Sequence, residues 1–329
     1  MRTGQPLPIA LFLKEGRGRH EAREPLKILV NALQRRTQKV VVESVGRAEP
    51  GTIERAGGLS VDVDREIPQG AARNPKAVAV VIGNRGYEKT SPVEFAANGA
   101  ATVRRYLVQT LGYDEKNILY VEDADLTDFH QIFGTAANPR GKLYNWVRPG
   151  ESDVFVYYAG HGVPNPEEKG TPYFVPVSAD PNYIGVSGYP VSVFRKNLEA
   201  LPARSLTVIV DACFSGMAAD GKLLIRDVSP AALKVRDELP APEGAVFMAG
   251  AASDQVSTWY RAMRHSTFTY WWLKGVGGAA DADGNREITV AELSAYLARE
   301  VPYTARREAG QEQTPVVLGD PARVLARLK

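Results

Sequence analysis

The sequence predicts an α/β protein: a mostly parallel sheet with helices on both faces. Two observations carry that expectation. Residues 77–82 form an unbroken apolar run, the pattern of a strand buried on both sides. Further apolar runs then alternate with segments of helical periodicity, which is how a chain builds parallel strands joined by crossover helices.

Residues 1–75 are the least patterned part. Short strands are expected at 9–13 and 40–45, and a helix at 24–35, where Leu26, Leu29, Val30 and Leu33 share one face. Residues 46–74 mix Gly, Pro and charge and read as a linker. The expected organisation is an N-terminal region over 1–75 and a main domain over 76–329.

Within that domain each element has its own signal. Ser91-Pro92-Val93-Glu94 reads as a helix start, with Ser as cap, Pro at the first position and Glu three residues after the cap. Val93, Ala96, Ala97, Ala100, Val103 and Leu107 then share a face, and Gly112 ends the helix. Strands follow at 117–122, 153–158 and 173–177, a helix at 191–201, and strands at 206–210 and 245–250. Helices are expected at 266–274 and 290–300, and a last strand at 314–318.

In such sheets chemistry sits just past the carboxyl ends of the strands. Two strands end in reactive residues. One runs into Ala159-Gly-His-Gly162, the other into Asp211-Ala-Cys213. Cys213 is the only cysteine in 329 residues. An imidazole can take the proton of a thiol and keep the thiolate available, so Cys213 and His161 are candidate nucleophile and base. The amides of Gly162 and Cys213 are candidate oxyanion donors. The glycines around His161 are expected to let its backbone be approached closely and take angles other residues avoid.

Composition narrows the classes. Forty basic and 38 acidic residues give a net charge of +2, which argues against a nucleic-acid footprint or a membrane-surface patch. No apolar run approaches the length of a membrane span. The run at 7–13 is short and followed by Lys14-Glu15, unlike a signal peptide. A single cysteine rules out an internal disulfide and a multi-cysteine metal site, so the expected location is cytoplasmic.

The motifs "YYAGHG" at 157–162 and "DACFSG" at 211–216 resemble the His and Cys motifs of caspase/metacaspase-type cysteine peptidases. Residues 78–113, "NILYVEDADLTDF" at 117–129 and "HSTFTYWWLKG" at 265–275 are similar to bacterial caspase-like domains. The resemblance covers about residues 76–320. It implies a caspase-like three-layer α/β/α sandwich with about six strands, and a cysteine endopeptidase acting on a protein or peptide substrate. Cys213 is then the nucleophile and His161 the base, with no cofactor required. Asp211 matches a position lining the pocket for the substrate side chain before the cut bond (P1), where an acid favours Arg or Lys. Ser253 and Asp254 match a loop beside the cleft, and Trp259 and Tyr260 are candidates for an apolar subsite. The segment 217–242, with Lys222, Arg226, Lys234 and Arg236, matches a linker cut on activation in the family.

Two positions depart from the metacaspase pattern: Gly99 replaces a second acid, and Ala159 replaces a serine. That thinning of the pocket leaves a rival expectation, a weakly active interaction or scaffold module in signalling. A regulatory partner acting through residues 1–75 is a further possibility.

Separately, Asp281, Asp283, Asn285 and Glu292 fall at ligand positions of a calcium loop, but Arg286 stands where the sharp turn calls for Gly. The plainer account is a turn followed by the Thr289–Glu292 capping box. His20, His130 and His265 lack metal-ligand spacing and are assigned to surface or packing roles.

Overall fold

The computed structural model describes residues 63–216, 224, 244–252 and 255–329, which lie in the unit Gly57–Lys329. In chain order the elements are β1 (Val78–Gly83), α1 (Ala96–Gln109), β2 (Ile118–Glu122), α2 (Leu126–Phe133) and α3 (Lys142–Trp146). Next come β3 (Asp153–Asn165), β4 (Thr171–Phe174), α4 (Ile184–Ser187), β5 (Tyr189–Pro190), α5 (Val191–Glu199) and β6 (Ser205–Cys213). After these follow β7 (Val246–Ala249), β8 (Trp259–Tyr260), β9 (His265–Ser266), α6 (Thr267–Lys274), β10 (Glu287–Thr289), α7 (Val290–Ala309), β11 (Val316–Leu318) and β12 (Val324–Arg327). The helix and two strands expected in residues 1–45, and the linker segment 217–242 apart from Leu224, lie outside the described residues.

The main sheet runs β11-β7-β6-β3-β1-β2. Only β11 is antiparallel to its neighbour; the other pairings are parallel. This is the mostly parallel sheet of about six strands; the short β4 pairs antiparallel with the far end of β3, and β5 with β4.

Strand side chains alternate between faces, and the core divides accordingly. Ala79, Val81, Phe155, Tyr157, Ala159 and Ile209 join the layer built by α1, α6 and α7. Val78, Val80, Ile82, Val154, Val156, Tyr158, Val208 and Val210 join the layer built by α2, α3 and α5. The second layer is rich in aromatics: Phe129, Phe133, Phe174, Tyr189 and Phe194 form one cluster of stacked, tilted and edge-to-face pairs.

Several elements depart from the sequence expectation. The first helix starts at Ala96 with no side-chain cap, because residues 91–94 are held as a loop: Val93 N–H donates to Arg85 C=O and Ser91 C=O is committed elsewhere. Strands β3 and β6 run past the apolar runs to Asn165 and Cys213, so the reactive residues lie inside paired strands. The last long helix continues to Ala309 despite Pro302. Helices α2 and α3 carried no prior expectation. Helix α2 has a reciprocal capping box between Asp125 and Asp128, an acid pair outside the usual Ser/Thr…Glu form.

At the opposite end of the sheet, Asp153 ties three elements together. Its carboxylate accepts from Arg204 Nε at 2.9 Å, Ser205 Oγ at 2.5 Å and Asn74 Nδ2 at 2.7 Å, and also from Arg204 Nη2. Burial alone would raise its pKa, but the bonds from Arg204, Ser205 and Asn74 hold it at about 2. A depressed folded-state pKa stabilises above the ordinary carboxylate value and is lost as pH falls toward 2. Asp153→Asn is therefore expected to lower stability at pH 7 by about 2 kcal/mol. The difference from the parent should vanish near pH 2, which denaturant titrations at both pH values check.

Candidate active site

Strands β3 and β6 lie side by side, and their register pairs His161 with Cys213. Facing residues on neighbouring parallel strands are one strand spacing apart, about 4.8 Å, and point the same way. Counting in twos from Phe155 and Ile209 puts His161, Asp211 and Cys213 on the α1/α6 face. All three line one small cavity with Gly99, Tyr157, Ser257, Trp259, Ser266 and Thr269.

The backbone of His161 is fixed at both ends. Its N–H donates to Tyr87 Oη at 2.7 Å, and its C=O accepts from Tyr158 Oη at 2.7 Å and from Val175 N–H at 3.1 Å. The Tyr87 ring packs 4.5 Å from the imidazole. The ring's Nε2 lies 2.7 Å from Ser91 C=O. A carbonyl only accepts, so Nε2 carries the proton and Nδ1 is the basic nitrogen of the neutral ring. Ser91 was read from the sequence as a helix cap; its role here is to orient the imidazole, and no residue pattern signals a carbonyl's direction.

Of the two expected reasons for the glycines around His161, close approach and unusual backbone angles, only the first holds. Neither Gly160 nor Gly162 has a positive φ. Instead, a Cβ on Gly160 would lie 2.6 Å from the hydroxyls of Tyr87 and Tyr158, and one on Gly162 would lie 2.6 Å from the Phe214 ring. Close approach, rather than unusual backbone angles, dictates them. Gly216, with φ 72°, does take the left-handed conformation.

Cys213 is buried, and Ser257 N–H points at its sulfur from 2.7 Å. Burial pushes the thiol up to about 12, against the opposing pull of the Ser257 amide. In this arrangement the sulfur is a thiol at neutral pH. Each pKa unit above a free cysteine's costs tenfold in thiolate, so iodoacetamide should alkylate the resting protein about 10³-fold more slowly than free cysteine at pH 7.5. A rate near that of free cysteine would mean that a thiolate–imidazolium pair already exists at rest.

Asp211 is buried too, and burial raises its pKa. One carboxylate oxygen, Oδ2, accepts from Ser266 Oγ and from Thr269 Oγ1, the latter at 2.6 Å. The other, Oδ1, makes no hydrogen bond of good geometry, although the Ser257 side chain nearby also draws the acid's pKa down. Gly250 is required beside it, since a Cβ there would come within 2.8 Å of Oδ1. Trp259 lines the cavity, packing edge-on against Phe95 and beneath Arg261. Tyr260 instead packs into the core against Tyr270 and Trp271. Ser253 and Asp254 lie outside the described residues.

A sequence profile described as the caspase domain matches residues 76–324. The chain belongs to the caspase-domain family. The family is one of cysteine peptidases, and the sheet order and layers above are its α/β fold. Among solved structures, this caspase domain is similar to caspase-1 from Spodoptera frugiperda, at 13% identity and a TM-score of 0.50. That match covers 80% of this chain and 94% of the other, and it supports the fold alone. Comparison with curated proteins gives no match.

Away from the cleft, Asp281, Asp283 and Glu292 come together with their oxygens within 4.8 Å of one another. Arg286 takes the left-handed conformation, φ 67°, where a calcium loop would place Gly. The carboxylates are engaged by the loop itself: Asp281 accepts from Gly284 and Arg286 N–H, and Glu292 from Ala282 and Thr289 N–H. These bonds make the segment a capped turn leading into α7. Among the described residues, no helix is long and apolar enough to cross a membrane.

Proposed function

We propose that this caspase domain is a cysteine endopeptidase that cuts peptide bonds after Arg or Lys. The observation carrying that reading is the buried Asp211, with one oxygen free of any well-formed hydrogen bond, in the cavity that also holds Cys213 and His161. An uncompensated carboxylate in a desolvated pocket is costly unless a cation arrives. A guanidinium or ammonium entering beside it restores the pairing.

The chemistry follows from the paired strands. His161 Nδ1 takes the thiol proton, and the Cys213 thiolate attacks the scissile carbonyl carbon. The carbonyl π electrons move to oxygen, and the Gly162 and Cys213 N–H groups donate hydrogen bonds to the resulting oxyanion. When the C–N bond breaks, His161 returns its proton to the leaving amine and a thioester remains. Water, deprotonated by His161, then hydrolyses the thioester and regenerates the thiol. No cofactor enters these steps. The linker 217–242 carries basic residues that such an enzyme could cut in a second copy or in itself, and residues 1–75 are the proposed point of regulation.

One observation favours the rival reading of a quiet interaction module: the thiol is covered and neutral at rest. Fluorogenic peptides ending in Arg, Lys or Asp separate the two. The wild type is expected to release fluorophore from the Arg and Lys peptides and not from Asp, and Cys213→Ala from none. Equal, negligible rates for wild type and Cys213→Ala on all three would leave the interaction module standing.

A further inference from the structure

A second, larger cavity of about 550 Å³ opens at the other end of the sheet. Its wall includes Asp153 and Ser205, which face each other at the starts of β3 and β6. The same register places His161 opposite Cys213 eight residues further on, about 26 Å along the strands. The cavity is therefore separate from the cleft. Its volume is in the range that holds a small organic molecule.

The lining is uneven in charge. Four guanidinium groups border it, those of Arg73, Arg204, Arg323 and Arg327, against one acid, Asp153. Three of the four are already matched: Arg73 pairs with Asp114, Arg204 with Asp153, and Arg327 with Glu287. Arg323 is not. Its Nη1 donates to Leu206 C=O at 3.0 Å and its Nη2 to Thr207 Oγ1 at 3.1 Å, both neutral acceptors. It pairs with no carboxylate among the described residues. Burial pushes its pKa down, the mark of a cation that has lost water without gaining a full partner.

Two more donors on the wall are idle. Trp272 is buried, and its Nε1–H has no hydrogen-bond partner. The buried Tyr113 hydroxyl makes no hydrogen bond among the described residues. Asp153, the one acid, already accepts from Arg204, Ser205 and Asn74. The remaining surface is apolar and partly aromatic: Phe155 packs 5.9 Å from Trp272 and 6.4 Å from Tyr113, with Leu111, Met248 and Val276 alongside. Such a lining offers donors and one unmatched positive charge above a flat apolar floor.

We propose that this cavity binds a small monoanion, a carboxylate carried on a flat apolar body, with Arg323 pairing the carboxylate and the Tyr113 hydroxyl and Trp272 N–H as further donors. Arg323 keeps three of its five N–H groups for the ligand, and a guanidinium meets a carboxylate with charge-assisted bonds. A single unmatched guanidinium calls for one negative charge, so a carboxylate suits the site better than a phosphate dianion. The aromatic floor takes the ligand's body by area and ring contact. The proposal does not depend on peptidase activity.

The test is calorimetry on the full chain with biphenyl-4-carboxylate and its neutral analogue, biphenyl-4-carboxamide. The carboxylate should bind one to one, at least about tenfold tighter than the amide. Arg323→Gln should raise its Kd about 10- to 100-fold, and Tyr113→Phe about 3- to 10-fold. Tyr113→Phe carries the test alone if Arg323→Gln does not fold, because the hydroxyl it removes has no partner to lose. Asp211→Asn, altered in the cleft, should bind with the parental Kd. No heat at about 1 mM carboxylate would overturn the proposal, as would equal affinity for acid and amide. So would a Kd unchanged in both cavity variants, or one that moves with Asp211→Asn, which would put the ligand in the cleft.

Discussion

Asp211→Asn is expected to lower kcat/KM on an Arg-terminated peptide by roughly 10²- to 10³-fold, the scale of losing one partner from a buried charge pair. The substitution keeps the shape of the side chain and removes its charge. The amide can still accept from Thr269 and Ser266 through its oxygen, so the pocket wall stays in place. The loss should appear mainly in KM, with the melting temperature unchanged or raised, because an uncompensated buried carboxylate is removed. Steady-state kinetics together with a thermal melt check both halves. A variant that keeps its Arg preference would show that some other group recognises the cation.

His161→Gln should cost about 10²- to 10⁴-fold in kcat, the usual contribution of a positioned general base. Glutamine can still reach toward Ser91 C=O but cannot take the thiol proton. Because Tyr87 and Tyr158 grip the backbone rather than the ring, the fold should survive. KM should change little, since no part of the imidazole is assigned to the P1 side chain. The pH dependence of kcat should lose its lower limb, because that limb reports a base that must be deprotonated to act. Single-turnover measurements over pH 5–9 would show it, and an unchanged profile would remove His161 from the proton transfer.

The sheet was legible because its strands are buried on both faces and therefore read as unbroken apolar runs. Those runs stop at Tyr158 and Val210, short of the strands' ends, since the last turns of β3 and β6 carry functional and small residues in place of hydrophobes. The start of α1 was misread because Ser91-Pro92-Val93-Glu94 has the composition of a cap while its backbone serves a distant imidazole. Composition records what a residue can do locally; it does not record which remote group will claim its carbonyl. The reactive pair was visible as two residue types at two strand ends. The pairing of Asp64 with His265 was not, because it joins positions 201 residues apart. The need for close approach at the two glycines beside His161 was legible, but the groups that crowd them, Tyr87, Tyr158 and Phe214, leave no trace in the local sequence.

The shared face of His161, Asp211 and Cys213 is a matter of phase within two strands, not of the distance between them along the chain. The connection from β3 to β6 can lengthen or shorten without moving either group. A single residue inserted inside β3 ahead of position 161, or inside β6 ahead of 211, would swing its imidazole, or its acid and sulfur together, into the aromatic layer on the far side. Relatives of this chain should therefore tolerate length changes freely between the two strands and almost never within them.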